Sequence, residues 1–188
     1  MLRKVKRSLI AIVLIIVVLF AGWRGYIGYL EHAGKIAAPT SGQWLRSSED
    51  KPYPDVNRYP HMWILVSKHQ QRVYLINHNK VLYTMYASTG TGKNNNTPSG
   101  FYHIQAERGD SFYNNKSGEG ANFWVSWKDH GIYLFHSVPV DRDGHYDKSE
   151  AAKLGKSAAS HGCVRLSIQD ARWLYQNIKQ GTRVIITS

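Results

Sequence analysis

The sequence predicts a mainly β domain, a β-sandwich of mixed or antiparallel strands with one or two short α-helices, preceded by an N-terminal transmembrane helix. Three observations carry this reading. β-branched and aromatic runs recur at close spacing from His61 onward, two segments near the C-terminus show helical signals, and one unbroken apolar run opens the chain.

That apolar run, Leu9 to Trp23, follows Arg3, Lys4, Lys6 and Arg7. As a helix, Ser8 to Trp23 is about 24 Å long, short of a hydrocarbon core. If Arg24 snorkels, the helix continues to Leu30 and reaches about 35 Å, enough to span. A cleavable signal peptide needs small residues at the minus-three and minus-one positions, and Leu19-Phe20-Ala21 places leucine at the first of them. A non-cleaved signal anchor is therefore the better reading of residues 1–30. The four cations keep their end in the cytoplasm, which puts everything after residue 30 on the extracytoplasmic side of a single-pass cell-membrane protein.

Residues 31–60 hold Pro39, Pro52, Pro54 and Pro60 among polar residues with no sustained period. They read as an extracytoplasmic linker, or alternatively as an irregular extension packed on the domain. From residue 61 to 188 the texture is that of one domain. MWILVS (62–67) and QRVYLI (71–76) flank Lys68-His69-Gln70 at hairpin spacing, and Lys80 to Ala87 forms a further strand after Asn77-His78-Asn79. The turn-rich STGTGKNNNTPSG precedes the strand-like FYHIQ. NFWVSW (122–127) and GIYLFHS (131–137) flank Lys128-Asp129-His130, again at hairpin spacing. KSEAAKLG (148–155) is a short helix with Gly155 suited to its C-terminal cap. Ser167-Ile168-Gln169-Asp170 starts a second helix with Ile168, Ala171, Leu174, Tyr175 and Ile178 on one face. Gly181 stops it, and TRVIIT makes the last strand.

Charge narrows the function classes. The chain carries 24 basic and 13 acidic residues, a net +11, of which Arg3, Lys4, Lys6, Arg7 and Arg24 lie in residues 1–30. The remainder is moderately basic and shows no zinc-finger or RNA-binding signature, so nucleic acid is not expected as a partner. The GTGK stretch (90–93) is not a phosphate loop, since Ala87 stands where a glycine is needed and Asn94 where Ser or Thr follows the lysine.

Cys163, in AASHGCVRLS, is the one cysteine. It cannot form a disulfide within its own chain, and a lone cysteine is most often a small buried hydrophobe. A nucleophilic thiol needs a base or cation beside it. Of the nine histidines, His32, His61, His69, His78 and His130 lie in the linker or at strand ends and turns. Their scatter around one cysteine shows no zinc-type ligand spacing, so no metal is expected. His136 closes one face of a strand with Ile132 and Leu134, His161 sits two residues before Cys163, and His145 lies in the loop DRDGHYD.

LFHSVP (134–139) followed by SHGCVR (160–165) resembles the L,D-transpeptidase family, the YkuD-type domain of bacterial cell-wall enzymes. WILVSKHQQRVYLINHNKVLYTMYASTG and TPSG upstream, and SIQDARWLYQNIKQGTRVIIT downstream, continue the likeness over roughly residues 61–188. The resemblance implies an L,D-transpeptidase-like β-sandwich and a cell-wall acyltransferase that uses no cofactor. In it Cys163 attacks a peptidoglycan stem peptide at the carbonyl between its third residue and terminal D-alanine. His136 pairs with the thiol, and the Ser137 position orients that histidine through its backbone carbonyl. Backbone N–H groups around Gly162 and Cys163 hold the oxyanion. Ser160 and His161 are positioning residues on the substrate-binding side, while Arg165 meets a substrate carboxylate or forms a structural ion pair. An amine of a second stem then takes the thioester to crosslink third residues. Water as acceptor would make an L,D-carboxypeptidase instead, and a non-catalytic membrane-tethered wall-binding module is the reading from a different class. Carbapenem-type β-lactams are expected covalent inhibitors. His136 lies 27 residues before Cys163, a long spacing for the family, and His145 only 18. His136 is preferred because its strand-end context matches, which makes the acidic insertion between them a flap beside the cleft.

Overall fold

The computed structural model describes residues 2–188, and its first element is one helix, α1 (Leu2–Ala33). Arg3, Lys4 and Arg7 lie outside the residues whose side chains are described. Within α1, Leu9–Ala33 is long and apolar enough to cross a membrane. Its side chains from Leu9 to Phe20 are exposed. Beyond Trp23 the helix changes role: Ile27 and Leu30 are buried against Trp63, Leu65, Tyr74, Ile76 and Ile185 on the outer face of the sheet. Close approach is possible because Gly34 ends the helix, where a Cβ would stand 2.5 Å from the Tyr74 ring. Its carbonyl accepts a hydrogen bond from Thr84 Oγ1 at 2.8 Å. Leu30 is fully buried, so Leu30→Ala is expected to lower the stability of the full chain by about 2–4 kcal/mol, read from urea unfolding in detergent. An unchanged midpoint would mean that the helix end is not part of the folded domain.

Nine strands follow, β1 (Met62–Ser67), β2 (Arg72–Asn77), β3 (Lys80–Ser88), β4 (Gly100–His103), β5 (Arg108–Asn114), β6 (Glu119–Lys128), β7 (Tyr133–Ser137), β8 (Val164–Leu166) and β9 (Arg183–Thr187). They form one curled sheet in the order β4-β9-β1-β2-β3-β8-β7-β6-β5. β1–β9 and β7–β8 pair parallel and the other neighbours antiparallel, so the sheet is mixed. The hairpins expected around Lys68-His69-Gln70, Asn77-His78-Asn79 and Lys128-Asp129-His130 are present as β1–β2, β2–β3 and β6–β7. The inward faces of both halves, Ile64, Val66, Leu75 and Met85 from one and Val125, Trp127, Phe135 and Val164 from the other, meet in a single core.

Two further α-helices, beside a short 3-10 turn at Gln43–Leu45, belong to the domain. α2 (Lys148–Ala151) is capped by Asp147, whose side chain accepts from the N–H groups of Ser149 and Glu150. It is shorter than the eight residues read from sequence, and the chain turns from there to Gly155. α3 (Ile168–Asn177) begins as expected, with Ser167 Oγ accepting from Asp170 N–H, and buries Ile168, Ala171 and Leu174. Asp170 does not reach back to the cap as a capping box would. Its carboxylate accepts instead from Ser48 Oγ at 2.5 Å and Tyr53 Oη at 2.6 Å. Tyr53 also stacks on Trp173 at 5.2 Å between ring centres. Of the two readings of residues 31–60, the packed extension therefore describes these contacts, and a free spacer does not. Burial pushes the Asp170 carboxyl up to about 6 despite these donors.

Candidate active site

The parallel pairing of β7 with β8 brings distant residues together. It sets Phe135 opposite Val164, His136 opposite Arg165 and Ser137 opposite Leu166. Cys163 immediately precedes β8, two positions from Arg165, and so leaves the strand on the face that His136 uses. Cys163 and His136 line one cavity of about 370 Å³ together with Glu119, Trp124, Ser160 and His161. His145 lies outside it, on an exposed loop with its Nδ1 3.4 Å from Asp141. Asp141, Asp143 and His145 bring their ligand atoms within 4.8 Å of one another in that same exposed loop.

His136 is oriented by its own strand. Its ring hydrogen-bonds the Ser137 carbonyl through Nδ1 at 2.6 Å, and Nδ1–H must be the donor because the carbonyl can only accept. The Nε2 lone pair is thereby left available. Phe112 meets the imidazole edge to face at 5.6 Å. Ser137 Oγ accepts from Asn122 N–H at 3.0 Å and donates to the Val138 carbonyl at 2.8 Å, which fixes the segment that holds the histidine.

Burial disfavours the charged form of both His136 and Cys163. Burial pushes the His136 imidazole down to about 4, and the Arg165 charge adds to this while the Ser137 bond opposes it. Burial pushes the Cys163 thiol up to about 11 against the opposing pull of the Leu134 backbone and Arg165. The thiol's own hydrogen bond goes to the Ile132 carbonyl at 3.6 Å. Because a raised thiol pKa depletes thiolate, iodoacetamide should label resting Cys163 at pH 7 about 10²-fold more slowly than an ordinary thiol. The labelling rate should still be climbing at pH 10. A flat rate between pH 5 and 7 would instead reveal a preformed thiolate–imidazolium pair.

The cysteine loop is held by hydroxyls. Ser160 Oγ donates to the Cys163 carbonyl at 2.5 Å and accepts from Gly162 N–H at 3.1 Å. Thr97 Oγ1, from the TPSG turn, donates to the Gly162 carbonyl at 2.9 Å and accepts from Gly90 N–H at 2.7 Å. Gly162 has φ +121°, and a Cβ there would stand 3.1 Å from the Tyr133 ring, so a side chain is both strained and crowded. Of the two N–H groups expected to face an oxyanion, that of Gly162 is engaged by Ser160, which leaves the Cys163 N–H as the one without that bond.

Arg165 sits differently from a substrate clamp. It is 1% exposed, with Nη1 donating to Glu150 Oε2 at 2.6 Å and Nη2 to both Glu119 oxygens at 3.0 and 2.8 Å. Glu150, from α2 in the insertion, also pairs with Lys153 at 2.5 Å. A carboxylate in the cavity would have to displace Glu119 or Glu150, so the structural ion pair is the reading that fits its contacts. His161 is half exposed, its Nδ1 3.4 Å from Glu119 Oε2. Glu119 escaped the sequence reading. Nothing local marks it, because its contacts arise only when β6 is brought beside the cysteine loop by the curl of the sheet.

Comparison with known proteins bears on the family and the fold. The family described as the YkuD L,D-transpeptidase catalytic domain matches residues 61–186. A Bacillus subtilis (strain 168) protein named "Putative L,D-transpeptidase YciB" is 44% identical over 152 residues, which cover 80% of this chain and 77% of that protein. Among solved structures, L,D-transpeptidase LdtMt1 in complex with imipenem is similar, with a TM-score of 0.55 at 19% identity over 68% of this chain and 59% of that one. L,D-transpeptidase 3 from Mycobacterium tuberculosis, in complex with a faropenem-derived adduct, has a TM-score of 0.54 at 22% identity over 68% of this chain and 60% of that one. The chain thus spans about three fifths of the length of these two solved proteins, and at such identities the likeness is one of fold.

Proposed function

Because the chain belongs to the YkuD L,D-transpeptidase catalytic-domain family, we propose that it is a peptidoglycan L,D-transpeptidase, an acyltransferase of cell-wall biosynthesis and organisation with Cys163 as nucleophile. The observation that carries the reading is the convergence of a thiol and an imidazole from opposite ends of a 27-residue separation onto one cavity, with Nδ1 of the imidazole anchored on the Ser137 carbonyl. A wall-binding module would have no need of that pairing.

In this reading the stem peptide enters with the carbonyl before its terminal D-alanine over Sγ. His136 Nε2 takes the thiol proton, Sγ attacks the carbonyl carbon, and the same proton passes to the departing amine as the C–N bond breaks. The Cys163 N–H stabilises the developing oxyanion, a donor worth about 2.7–4 kcal/mol where one is lost from such a site. An amine of a second stem takes the thioester and forms the crosslink, with Ser160 keeping the loop in place. α1 would hold the domain at the extracytoplasmic face of the cell membrane, where its substrate lies. The imipenem and faropenem complexes of the related folds support the expectation that carbapenem-type β-lactams acylate Cys163.

The test uses the full chain in detergent, incubated with disaccharide-tetrapeptide and, separately, with a carbapenem, both followed by mass spectrometry. Crosslinked dimer with loss of D-alanine is the expected product, together with a carbapenem adduct on Cys163. Tripeptide without dimer would instead establish the L,D-carboxypeptidase. Neither product nor adduct would sink both enzyme readings.

A further inference from the structure

The second half of this reaction sets a proton count that a single imidazole does not close. After acylation the thiol proton has gone through His136 to the departing amine, and His136 is neutral again. The acceptor arrives as an ammonium, because an alkyl amine keeps its third proton until about pH 10. In becoming an amide its nitrogen must shed two protons. His136 can carry one of them to the departing thiolate and restore the Cys163 thiol. The other has no place in the Cys163–His136 pair.

His161 stands where a second base is needed. It lines the same cavity as Cys163 and His136, and its side chain is 55% exposed, so it exchanges protons with solvent. His136, at 6% exposed, does not have that route. Glu119 Oε2 lies against His161 Nδ1 at 3.4 Å. Glu119 is itself immobilised, both oxygens accepting from Arg165 Nη2. At that distance the carboxylate sits beside Nδ1 as a nearby opposite charge rather than as a hydrogen-bond partner, and Nε2 is the ring nitrogen with no carboxylate against it.

Resting on the acyl-transfer reading above, we propose that His161, positioned by Glu119, is the base that removes the extra proton of the acceptor ammonium. His161 takes one N–H proton and later releases it to solvent. The freed amine's lone pair then forms the bond to the thioester carbon. The C–S bond breaks with its electron pair on Sγ, and His136 moves the nitrogen's remaining surplus proton to that sulfur. The group recognised on the acceptor is therefore an alkyl ammonium, and Glu119 acts through His161 rather than on the substrate.

The experiment measures, for the full chain, acyl-transfer product (crosslinked dimer or hydroxamate) per acyl-enzyme formed from the tetrapeptide donor at neutral pH. It compares a lysine-bearing tripeptide acceptor with hydroxylamine, a nucleophile that is uncharged at that pH and has no extra proton to shed. His161→Gln is expected to lower the ratio about 10²-fold with the ammonium acceptor, and by less than about threefold with hydroxylamine. Glu119→Gln should show the same contrast with a smaller fall, about tenfold. A His161→Gln loss below about tenfold with the ammonium acceptor, or an equal loss with both acceptors, overturns the assignment. His161→Gln changes an exposed side chain, so it decides the matter even where Glu119→Gln weakens the fold by unpairing Arg165. Absence of any Cys163 acyl-enzyme in the unsubstituted chain sinks the acyl-transfer reading, and this assignment with it.

Discussion

His136→Ala is expected to slow carbapenem acylation of Cys163 by about 10²–10⁴-fold, the range that a positioned general base supplies. The effect should be large because burial leaves the thiol with little thiolate of its own at pH 7. Without His136 the thiol keeps its hydrogen bond to the Ile132 carbonyl, and a carbonyl is no base. His145→Ala is the control. That side chain lies on an exposed loop outside the cavity, beside Asp141, and its removal should change the rate by less than about twofold. The measurement is the second-order rate of adduct formation followed by mass spectrometry. Full activity of His136→Ala beside a dead His145→Ala would reverse the choice of base, and with it the placing of the 138–157 insertion as a flap rather than as the carrier of the base.

A large loss of stability, comparable to that of Leu30→Ala, is expected from replacing Arg165. Its guanidinium holds Glu150 and Glu119 together while being almost wholly shielded from water. Removing one partner of a buried ion pair typically costs about 3–5 kcal/mol, because charges are left uncompensated. Both carboxylates here retain some exposure, which brings the expectation for Arg165→Met to about 3 kcal/mol. Urea unfolding at pH 7 measures it. Were Arg165 a substrate clamp, the variant would keep its unfolding midpoint and lose only its affinity for the donor peptide. The cost should shrink as pH falls below the carboxylate range. Contact with Arg165 and Lys153 keeps the Glu150 carboxyl below its ordinary value against the opposing effect of burial. A group with a depressed folded-state pKa contributes stability above its unfolded value, and that stability is lost on acidification through the folded value. The unsubstituted chain therefore loses this contribution at low pH, whereas Arg165→Met has already lost it, and the two curves should converge.

Much of the architecture is legible in the residues, for local reasons. MWILVS, QRVYLI and VLYTMYA carry so many β-branched and aromatic side chains that β1, β2 and β3 are evident, and the three-residue spacings between runs allow hairpins. α3 is evident from Ser167 and the apolar face behind it. β5 is not. Arg108–Asn114 is a polar, largely exposed edge strand, and its extended form comes from pairing with β6 rather than from its own composition. β8 has three residues, too few to carry a period. The prolines of residues 31–60 read as a spacer because sequence shows backbone stiffness. It does not show that Ser48 and Tyr53 find a buried carboxylate in Asp170, more than a hundred residues away.

The same division runs through the site. That Cys163 is a candidate nucleophile and that the chain opens with a long apolar segment follow from residue type and order, whereas His136 as its base came only with the resemblance of LFHSVP and SHGCVR to the YkuD-type domain. Contacts between distant strands decided the remainder. Arg165 looked equally suited to a substrate carboxylate and to an ion pair, and only the approach of β6 and α2 supplied the two carboxylates that occupy it. Glu119 was invisible until the sheet curled and set it between Arg165 and His161. Linear order specifies which groups are available. Burial and pairing across the fold specify which charges must neutralise one another, and so which are left to do chemistry.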